Sequence, residues 1–153
     1  MNAISDIQKL REEIAVNYFR MVDAGDPAVI DVFTEDAQMF YPKFGIARGK
    51  AQIGAFAQGL GREITSLEHE IESFTVLTSG SYVIVEGAER GTTMSGVDFP
   101  DGVSSFGLFC NVFEFEDELI KRIHIYVDPD FANTHAEGVA WGKSVQDSIE
   151  ASP

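Results

Sequence analysis

The segment FCNVFEFEDELIKRIHIYVD, residues 109–128, predicts a β-hairpin and is the most informative part of the sequence for the fold. Two runs rich in β-branched and aromatic residues flank the acidic turn EDE, so we expect strands over 103–116 and 119–128. The dipeptide Asp128-Pro129 ends the second strand. Side chains alternate along a strand, which divides the second one into an apolar face (Ile123, Ile125, Val127) and a polar face (Arg122, His124, Tyr126, Asp128).

The hairpin belongs to a longer series of strands that follows a helical N-terminal part. Further strands are predicted over 66–78 and 82–93, separated by the turn signal SGS. Upstream, apolar residues at helical spacing predict a helix over 5–24, and Asp26-Pro27 begins a second, short helix, AVIDVFTEDA. A strand over 37–41 and a third helix over 50–60 follow, the latter with Ile53, Phe56, Ala57 and Leu60 facing inward. Helices first and then strands with short connections predict an α+β fold, an antiparallel sheet with helices on one face.

Composition and charge narrow the class of protein. The chain has 153 residues, 44% of them hydrophobic, which suits a single domain over 1–153 with a core at about 5–131 and a C-terminal extension over 132–153. A net charge of −14 disfavours nucleic acid and membrane surfaces as partners. The single cysteine, Cys110, suits a reducing compartment, and the N-terminus has no apolar signal segment. We therefore expect a cytoplasmic protein.

Polar residues on one face of the strands predict a ligand cavity. If the face of Asp128 points inward, neighbouring strands add Glu89 and Asn111 to His124 and Tyr126 on an aromatic lining. An apolar cavity with a few convergent polar groups is the usual form of a small-molecule site. Each residue also has a structural interpretation: Asp128 as a strand cap, His124 as a histidine bonded to the backbone, and Glu89 as half of a solvated pair with Arg90. His69, which lies among glutamates, is expected at the surface.

The opposite face of the sheet predicts a homodimer. Leu108, Cys110 and Val112 are apolar on one face of their strand, while Phe109, Phe113 and Phe115 are apolar on the other. Helices can cover only one face of a sheet. A second copy would then cover the other face, around Leu108, Cys110, Val112, Ile123 and Ile125.

The segments YFRMVDAGDPAVIDVFTEDAQMFYP, ARGKAQIGAF and FCNVFEFEDELIKRIHIYVD resemble the SnoaL-like group of the nuclear transport factor 2-like proteins. The resemblance covers about residues 5–131 and implies a cone-shaped α+β fold, a curved sheet wrapped around helices with a pocket between them. The superfamily holds isomerases, dehydratases, cyclases, hydrolases and non-enzymes, so it leaves the activity open. None of the common nucleophile, phosphate-loop or zinc motifs is present in the sequence.

Comparison with three families of this group implies roles for particular residues. By similarity to ketosteroid isomerase, Tyr18 and Asn111 fall at its oxyanion-binding positions and Tyr41 at its base. By similarity to limonene epoxide hydrolase, Asp128 and Glu89 fall at its two aspartates and Gly87 at its bridging arginine. The SnoaL-like polyketide cyclases place an acid/base aspartate in an aromatic pocket, which Asp128 or Glu89 could supply.

These observations predict acid/base chemistry, of the cyclase, isomerase or dehydratase type, on a hydrophobic cyclic molecule, without metal or organic cofactor. The candidate catalytic residues are Asp128, Glu89, His124, Tyr18 and Asn111. The candidate substrate-binding residues are Tyr41, Phe44, Phe56, Phe109, Phe113 and Tyr126. The alternative is a non-catalytic ligand-binding or dimeric interaction module of the same fold.

Overall fold

A computed structural model describes residues 5–42 and 44–128, together with Ser144 and Asp147. The predicted C-terminal extension over 132–153 lies, apart from those two residues, outside the described part of the chain. Within that part, no helix is long and apolar enough to cross a membrane.

The N-terminal helix confirms the sequence prediction. Helix α1 spans Asp6–Asp23, and its N-cap residue Ser5 donates its backbone N–H to Gln8 Oε1 at 3.0 Å. Ala15, Tyr18 and Phe19 are its buried side chains and lie on one face, three or four residues apart. That face packs against the sheet and forms one wall of the interior.

The second helix is shorter than predicted, and the strand after it begins earlier. Asp26 caps a 3₁₀ helix over Pro27–Val32 by accepting a hydrogen bond from Ala28 N at 2.9 Å. Strand β1 then spans Phe33–Tyr41, so the predicted start at residue 37 was four residues late. β2 spans Gly45–Arg48, and helix α2 spans Gly49–Glu63. Ile53 is the one fully buried side chain of α2; the prediction that Ala57 faces inward was wrong, since it is exposed.

The remaining strands form most of a strongly curved sheet. Strand β3 spans Ile64–His69, β4 Thr75–Ser79, β5 Tyr82–Thr93, β6 Asp98–Phe99, β7 Leu108–Glu116 and β8 Leu119–Val127. The predicted strand over 66–78 is therefore two strands, separated by a 3₁₀ turn at Ile71–Ser73. Residues 103–107, predicted as the start of a strand, form a loop.

The strand order is β2-β1-β8-β7-β5-β3, with β4 and β6 also paired to β5. The pairs β7–β8, β5–β7 and β4–β5 are antiparallel, as predicted, whereas β1 pairs with β8 in parallel. The helices cover one face of this sheet. The architecture is the α+β cone that the sequence predicts.

The inward face of β8 is the reverse of the prediction. Ile120, Ile123 and Ile125 are buried under the helices, whereas Tyr126 is 49% exposed on the outer face. Phe115 pairs with Ile120 but Glu114 pairs with Arg122, so Lys121 is an unpaired extra residue, a β-bulge. The alternation of inward and outward side chains therefore shifts by one residue at Lys121. On β5 and β7 the predicted faces are correct: Val83, Val85, Glu89, Phe109, Asn111 and Phe113 are all buried inside.

Candidate active site

A small cavity lies between the inner face of the sheet and the two helices. Its volume is about 60 Å³, enough for a few water molecules. Its walls are mostly apolar, with Phe19 from α1, Phe56 from α2, Phe109 from β7 and Ile125 and Val127 from β8. Five polar side chains interrupt that lining: Tyr18, Tyr41, His69, Glu89 and Asn111.

The centre of this polar group is His69, held between two carboxylates. Asp23, the last residue of α1, accepts the His69 backbone N–H at 2.9 Å through Oδ2 and contacts ring Nδ1 at 2.5 Å through Oδ1. On the other side of the ring, Nε2 lies 3.2 Å from Glu89 Oε2. His69 and Glu89 are directly opposite each other on β3 and β5, so the strand register produces this contact.

The environment of His69 favours the doubly protonated ring. Burial by itself lowers the pKa of His69, but hydrogen bonds to Asp23 and Glu89, and the charges of those carboxylates, raise it to about 9. An imidazolium donates from both nitrogens, which matches an acceptor on each side. Phe19 and Phe109 pack edge-on against the ring, with centroids 4.9 and 5.2 Å away. The ring is therefore fixed in orientation at neutral pH.

Two buried acceptors near His69 are left without a partner. Glu89 Oε1 and Asn111 Oδ1 are inaccessible to solvent and make no hydrogen bond to any described residue. Asn111 lies between Val85 and Ile125 on the neighbouring strands, and these apolar side chains offer no donor. Buried acceptors normally find a donor, because leaving one unpaired costs about 1–3 kcal/mol. A bound ligand or water would supply that donor.

Two phenols complete the polar lining. Tyr18 lies among the rings of Phe19, Phe33 and Phe113, all edge-on. Burial, and then the negative charge of Glu89, raise the pKa of Tyr18 and of Tyr41 well above the ordinary range. Both side chains therefore stay protonated and can act as hydrogen-bond donors.

His69 and its two carboxylate partners do not form a metal site. The two carboxylates contact opposite nitrogens of the ring, so they do not converge on one point. In the described parts of the chain, no set of three His, Cys, Asp or Glu side chains is placed to hold a metal ion.

The structure brings together only some of the predicted site residues. Those that line the cavity are Tyr18, Tyr41, Phe56, Glu89, Phe109 and Asn111. Phe113 is fully buried against Tyr18, in the core, and Phe44 is 52% exposed, with its ring tilted against that of Phe56. Neither side chain lines the cavity, and their contact with a substrate stays a prediction.

Asp128, His124 and Tyr126 do not face the cavity. Asp128 accepts hydrogen bonds from Ser105 Oγ at 3.1 Å, Phe106 N at 2.8 Å and Leu108 N at 3.0 Å. These hydrogen bonds fit the strand-cap interpretation of Asp128, since its carboxylate holds the loop before β7. His124 and Tyr126 pack against Phe40 on the outer face, where burial and Arg122 lower the pKa of His124.

The paired carboxylates implied by the likeness to epoxide hydrolase are therefore absent from the described residues. Glu89 is bonded to His69 inside the cone, and Asp128 is bonded to a loop outside it. At Gly87, the position of the bridging arginine, the ring of Phe74 fills the space of a side chain. The arrangement does not support that chemistry.

Sequence reasoning missed Asp23 and placed His69 at the surface. One signal was available: Asp23 ends α1, and a carboxylate is unfavourable at the C-terminal end of a helix unless a cation lies nearby. The pairing of His69 with Glu89 was hidden because strands β3 and β4 were read as one.

Comparison with known families places this chain in one of them. The model of the SnoaL-like domain matches residues 15–123, and the chain belongs to that family. Among curated proteins, none matches the chain in sequence.

Solved structures resemble it at low identity. An NTF2-like protein from Anabaena variabilis is 19% identical with a TM-score of 0.70, covering 85% of this chain and 96% of its own. A protein from Jannaschia, named only provisionally as a SnoaL-like polyketide cyclase, is 18% identical with a TM-score of 0.67 over 100% of both chains. A provisionally named polyketide cyclase from Pseudomonas putida is 21% identical with a TM-score of 0.63, covering 76% of this chain and 90% of its own. At these identities the likeness shows the fold alone.

Proposed function

We propose that this protein binds a hydrophobic, cyclic small molecule in the inner cavity and catalyses a cofactor-independent acid/base reaction of the cyclase, isomerase or dehydratase type. The observation that carries the proposal is the unpartnered oxygen of Glu89, buried beside a charged His69. A carboxylate oxygen with no hydrogen-bond donor of its own is free to accept a proton from a substrate. The names of two related structures, polyketide cyclases by provisional assignment, agree with this type of reaction.

The residues suit a reaction that begins with removal of a proton next to a carbonyl group. Glu89 Oε1 takes the proton from carbon, and the electron pair moves onto the carbonyl oxygen as an enolate. Tyr18 and Tyr41, which remain protonated, donate hydrogen bonds to that oxygen. Return of the proton from Glu89 to another carbon of a conjugated enolate completes an isomerisation. Attack of the enolate carbon on a second carbonyl forms a ring, and Glu89 returns its proton to the resulting alkoxide, which becomes a hydroxyl group.

His69 and Asp23 have a supporting part in this scheme. The imidazolium, bonded to Glu89 Oε2, stabilises the carboxylate before the reaction. In a dehydration, Glu89 passes the proton that it has taken from carbon to the leaving hydroxyl group, which departs as water. Asp23 holds the ring and the backbone of His69 at the same time. It acts as a positioning residue because it contacts His69 rather than the cavity.

Proton exchange on a probe ketone tests the proposal without knowledge of the natural substrate. The wild-type protein is expected to accelerate exchange of the acidic C–H protons of 2-tetralone in D₂O, followed by ¹H NMR. Glu89→Gln should lower the accelerated rate by about 10²–10⁴-fold, the usual contribution of a general base. Glu86→Gln is the matched control, since Glu86 lies on the same strand but is exposed on the outer face. Equal rates for the two variants would refute the assignment of Glu89 as base.

The alternative is a non-catalytic binding module of the same fold. The observation in its favour is that both nitrogens of His69 already have protein partners, so the charged cluster satisfies much of itself. This alternative predicts that 2-tetralone binds in the cavity, as seen by changes in amide chemical shifts, without faster proton exchange.

We further propose that two copies of the chain pack through the outer face of the sheet. Strand register places a row of mostly apolar residues across it: Leu77, Ile84, Val112, His124, Phe40 and Ile46. Leu108, also on this face, is 57% exposed, and Leu77 is 61% exposed. Monomers rarely leave large continuous apolar patches in water. Ile123 and Ile125, which the sequence assigned to this surface, lie in the core instead and are not part of the proposal.

A further inference from the structure

The polar lining of the cavity is unbalanced in both charge and hydrogen-bonding character. Around the cavity, two carboxylates (Asp23 and Glu89) accompany one imidazolium (His69), which leaves one excess negative charge. None of the described residues that line the cavity is a lysine or an arginine. Arg90, next to Glu89 in the chain, is exposed and pairs with Glu68 at 2.7 Å on the opposite face.

The buried atoms without a hydrogen-bond partner are acceptors, so they too favour a ligand that brings a donor. Glu89 is 6% exposed and Asn111 is 3% exposed, and both have an acceptor oxygen without a donor in the described structure. The Asn111 amide can rotate and present its N–H₂ group instead, but an ionised carboxylate has only acceptors. Glu89 therefore decides which ligands fit, because every ligand in contact with Oε1 must offer it a proton.

We infer that the cavity selects neutral or cationic ligands that present an O–H, N–H or acidic C–H group to Glu89, and that it rejects carboxylates of the same shape. This selectivity rests on the cavity being the ligand site of the proposed function, but it does not require catalysis. A carboxylate ligand would meet a second carboxylate in a buried space without a compensating cation, and that arrangement is costly.

Three planar molecules of nearly identical shape measure the selectivity: benzamidinium, benzamide and benzoate, with charges of +1, 0 and −1. A single ring needs more room than the 60 Å³ of this cavity, since a cavity that binds benzene has about 150 Å³. The half-buried Phe56 and Leu60 of α2 would have to shift to admit it. Each compound is titrated into the ¹⁵N-labelled full-length protein at pH 7, and amide shifts near Glu89 and Asn111 report occupancy of the cavity.

The affinities measured from these amide shifts should decrease from benzamidinium to benzamide to benzoate, with at least about a tenfold difference between the first and the last. Glu89→Gln replaces one acceptor oxygen by a donor, so it should reduce the benzamidinium preference and improve benzoate binding. Glu86→Gln removes the same charge from the outer face of the same strand and should leave the order unchanged. This control separates selectivity of the cavity from the general attraction of cations to a protein of net charge −14.

Equal affinities, a preference for benzoate, a Glu89→Gln variant with wild-type selectivity, or no shift at the cavity amides with any compound would each overturn the inference. The proton-exchange assay uses a neutral ketone and fails or succeeds independently. If exchange is absent but the charge order holds, the cavity is a selective binding site and the catalytic proposal falls. If exchange is fast but the charge order is lost, catalysis stands and the selectivity falls.

Discussion

The two faces of the same curved sheet contain similar polar residues, but those residues behave differently. Inside, His69 is buried between Asp23 and Glu89, and its pKa is raised to about 9. Outside, His124 is partly exposed beside Tyr126 and Arg122, and its pKa is lowered. The difference arises because the two carboxylates bonded to the inner ring outweigh the effect of its burial, whereas desolvation, and then the charge of Arg122, lower the pKa of the outer ring.

Carboxylates show the same contrast. Glu89, on the inner face of β5, is bonded to one histidine and keeps one oxygen free, whereas Asp128, at the outer end of β8, has three hydrogen-bond donors around it. A carboxylate saturated by backbone and hydroxyl donors has a structural part. One left with a buried free oxygen is available for a ligand. The candidate site therefore differs from the other polar residues in two ways: its carboxylate is buried, and one oxygen of that carboxylate has no hydrogen-bond donor.

Replacement of the inner histidine should have the largest effect on the fold. His69→Ala leaves the buried Glu89 and the half-buried Asp23 without their shared cation, and breaking a buried ion pair costs about 3–5 kcal/mol. Urea unfolding should show a correspondingly lower free energy of unfolding. The matched outer substitution, His124→Ala, should cost less than about 1 kcal/mol. Similar losses for both variants would mean that the faces do not differ as described.

The pH dependence of the free energy of unfolding should show the titration of His69. The folded pKa of His69, about 9, lies above the unfolded value of 6.5, so its contribution is complete below pH 6.5 and disappears as the pH rises through 9. At about 1.4 kcal/mol per pKa unit, roughly 3 kcal/mol of stability should be lost over that range. Free energies of unfolding measured between pH 6 and 9.5 should fall for the wild type and for His124→Gln. They should be much flatter for His69→Gln, and a wild-type slope in that variant would assign the titration to another group.

The sequence predicted the architecture well because its strongest signals are local. The amphipathic α1, the hairpin of β7 and β8, and the alternation on β5 each follow from residue patterns within one or two elements. They were enough to place Tyr18, Glu89 and Asn111 on the inner side. The bulge at Lys121 has no comparable signal, since one extra residue in a strand changes neither composition nor length noticeably.

The centre of the candidate site was not predictable in the same way. His69 is joined to Asp23, 46 residues earlier, by a contact that depends on how α1 packs against β3. No periodic pattern encodes such a distance. The polar residues on one face of β8 suggest that this face lines a cavity, although alternation cannot say which face the helices cover. Asp128 belongs to that polar face, so its carboxylate lies outside the cavity. The expected effect of replacing Asp128 changes accordingly.

Asp128→Asn should now have a moderate effect on stability and little effect on chemistry. An active-site assignment would have predicted loss of turnover. The amide keeps one acceptor oxygen but loses the second, which weakens the hydrogen bonds to Ser105, Phe106 and Leu108 and should cost about 1–2 kcal/mol. The rate of 2-tetralone proton exchange should stay within about twofold of the wild-type rate at a temperature where both proteins are folded. A loss comparable to that of Glu89→Gln would return Asp128 to the catalytic group.

The smallest effect on the stability of the fold is expected from a substitution at the centre of the outer face. Val112 is half-buried on β7, between Ile84 and His124 on the neighbouring strands, and its side chain lies outside the core. Val112→Glu should therefore cost the single chain less than about 1 kcal/mol. If two copies pack through this face, however, the substitution buries a like-charged pair near the two-fold axis and should dissociate the dimer. Sedimentation velocity at micromolar concentration should show dimers for the wild type and monomers for Val112→Glu. Val97→Glu, at a 60% exposed position in the loop before β6, adds the same charge away from this face and should remain dimeric. A monomeric wild type would show that water covers the outer face, and the contrast between the two faces would then concern the ligand site alone.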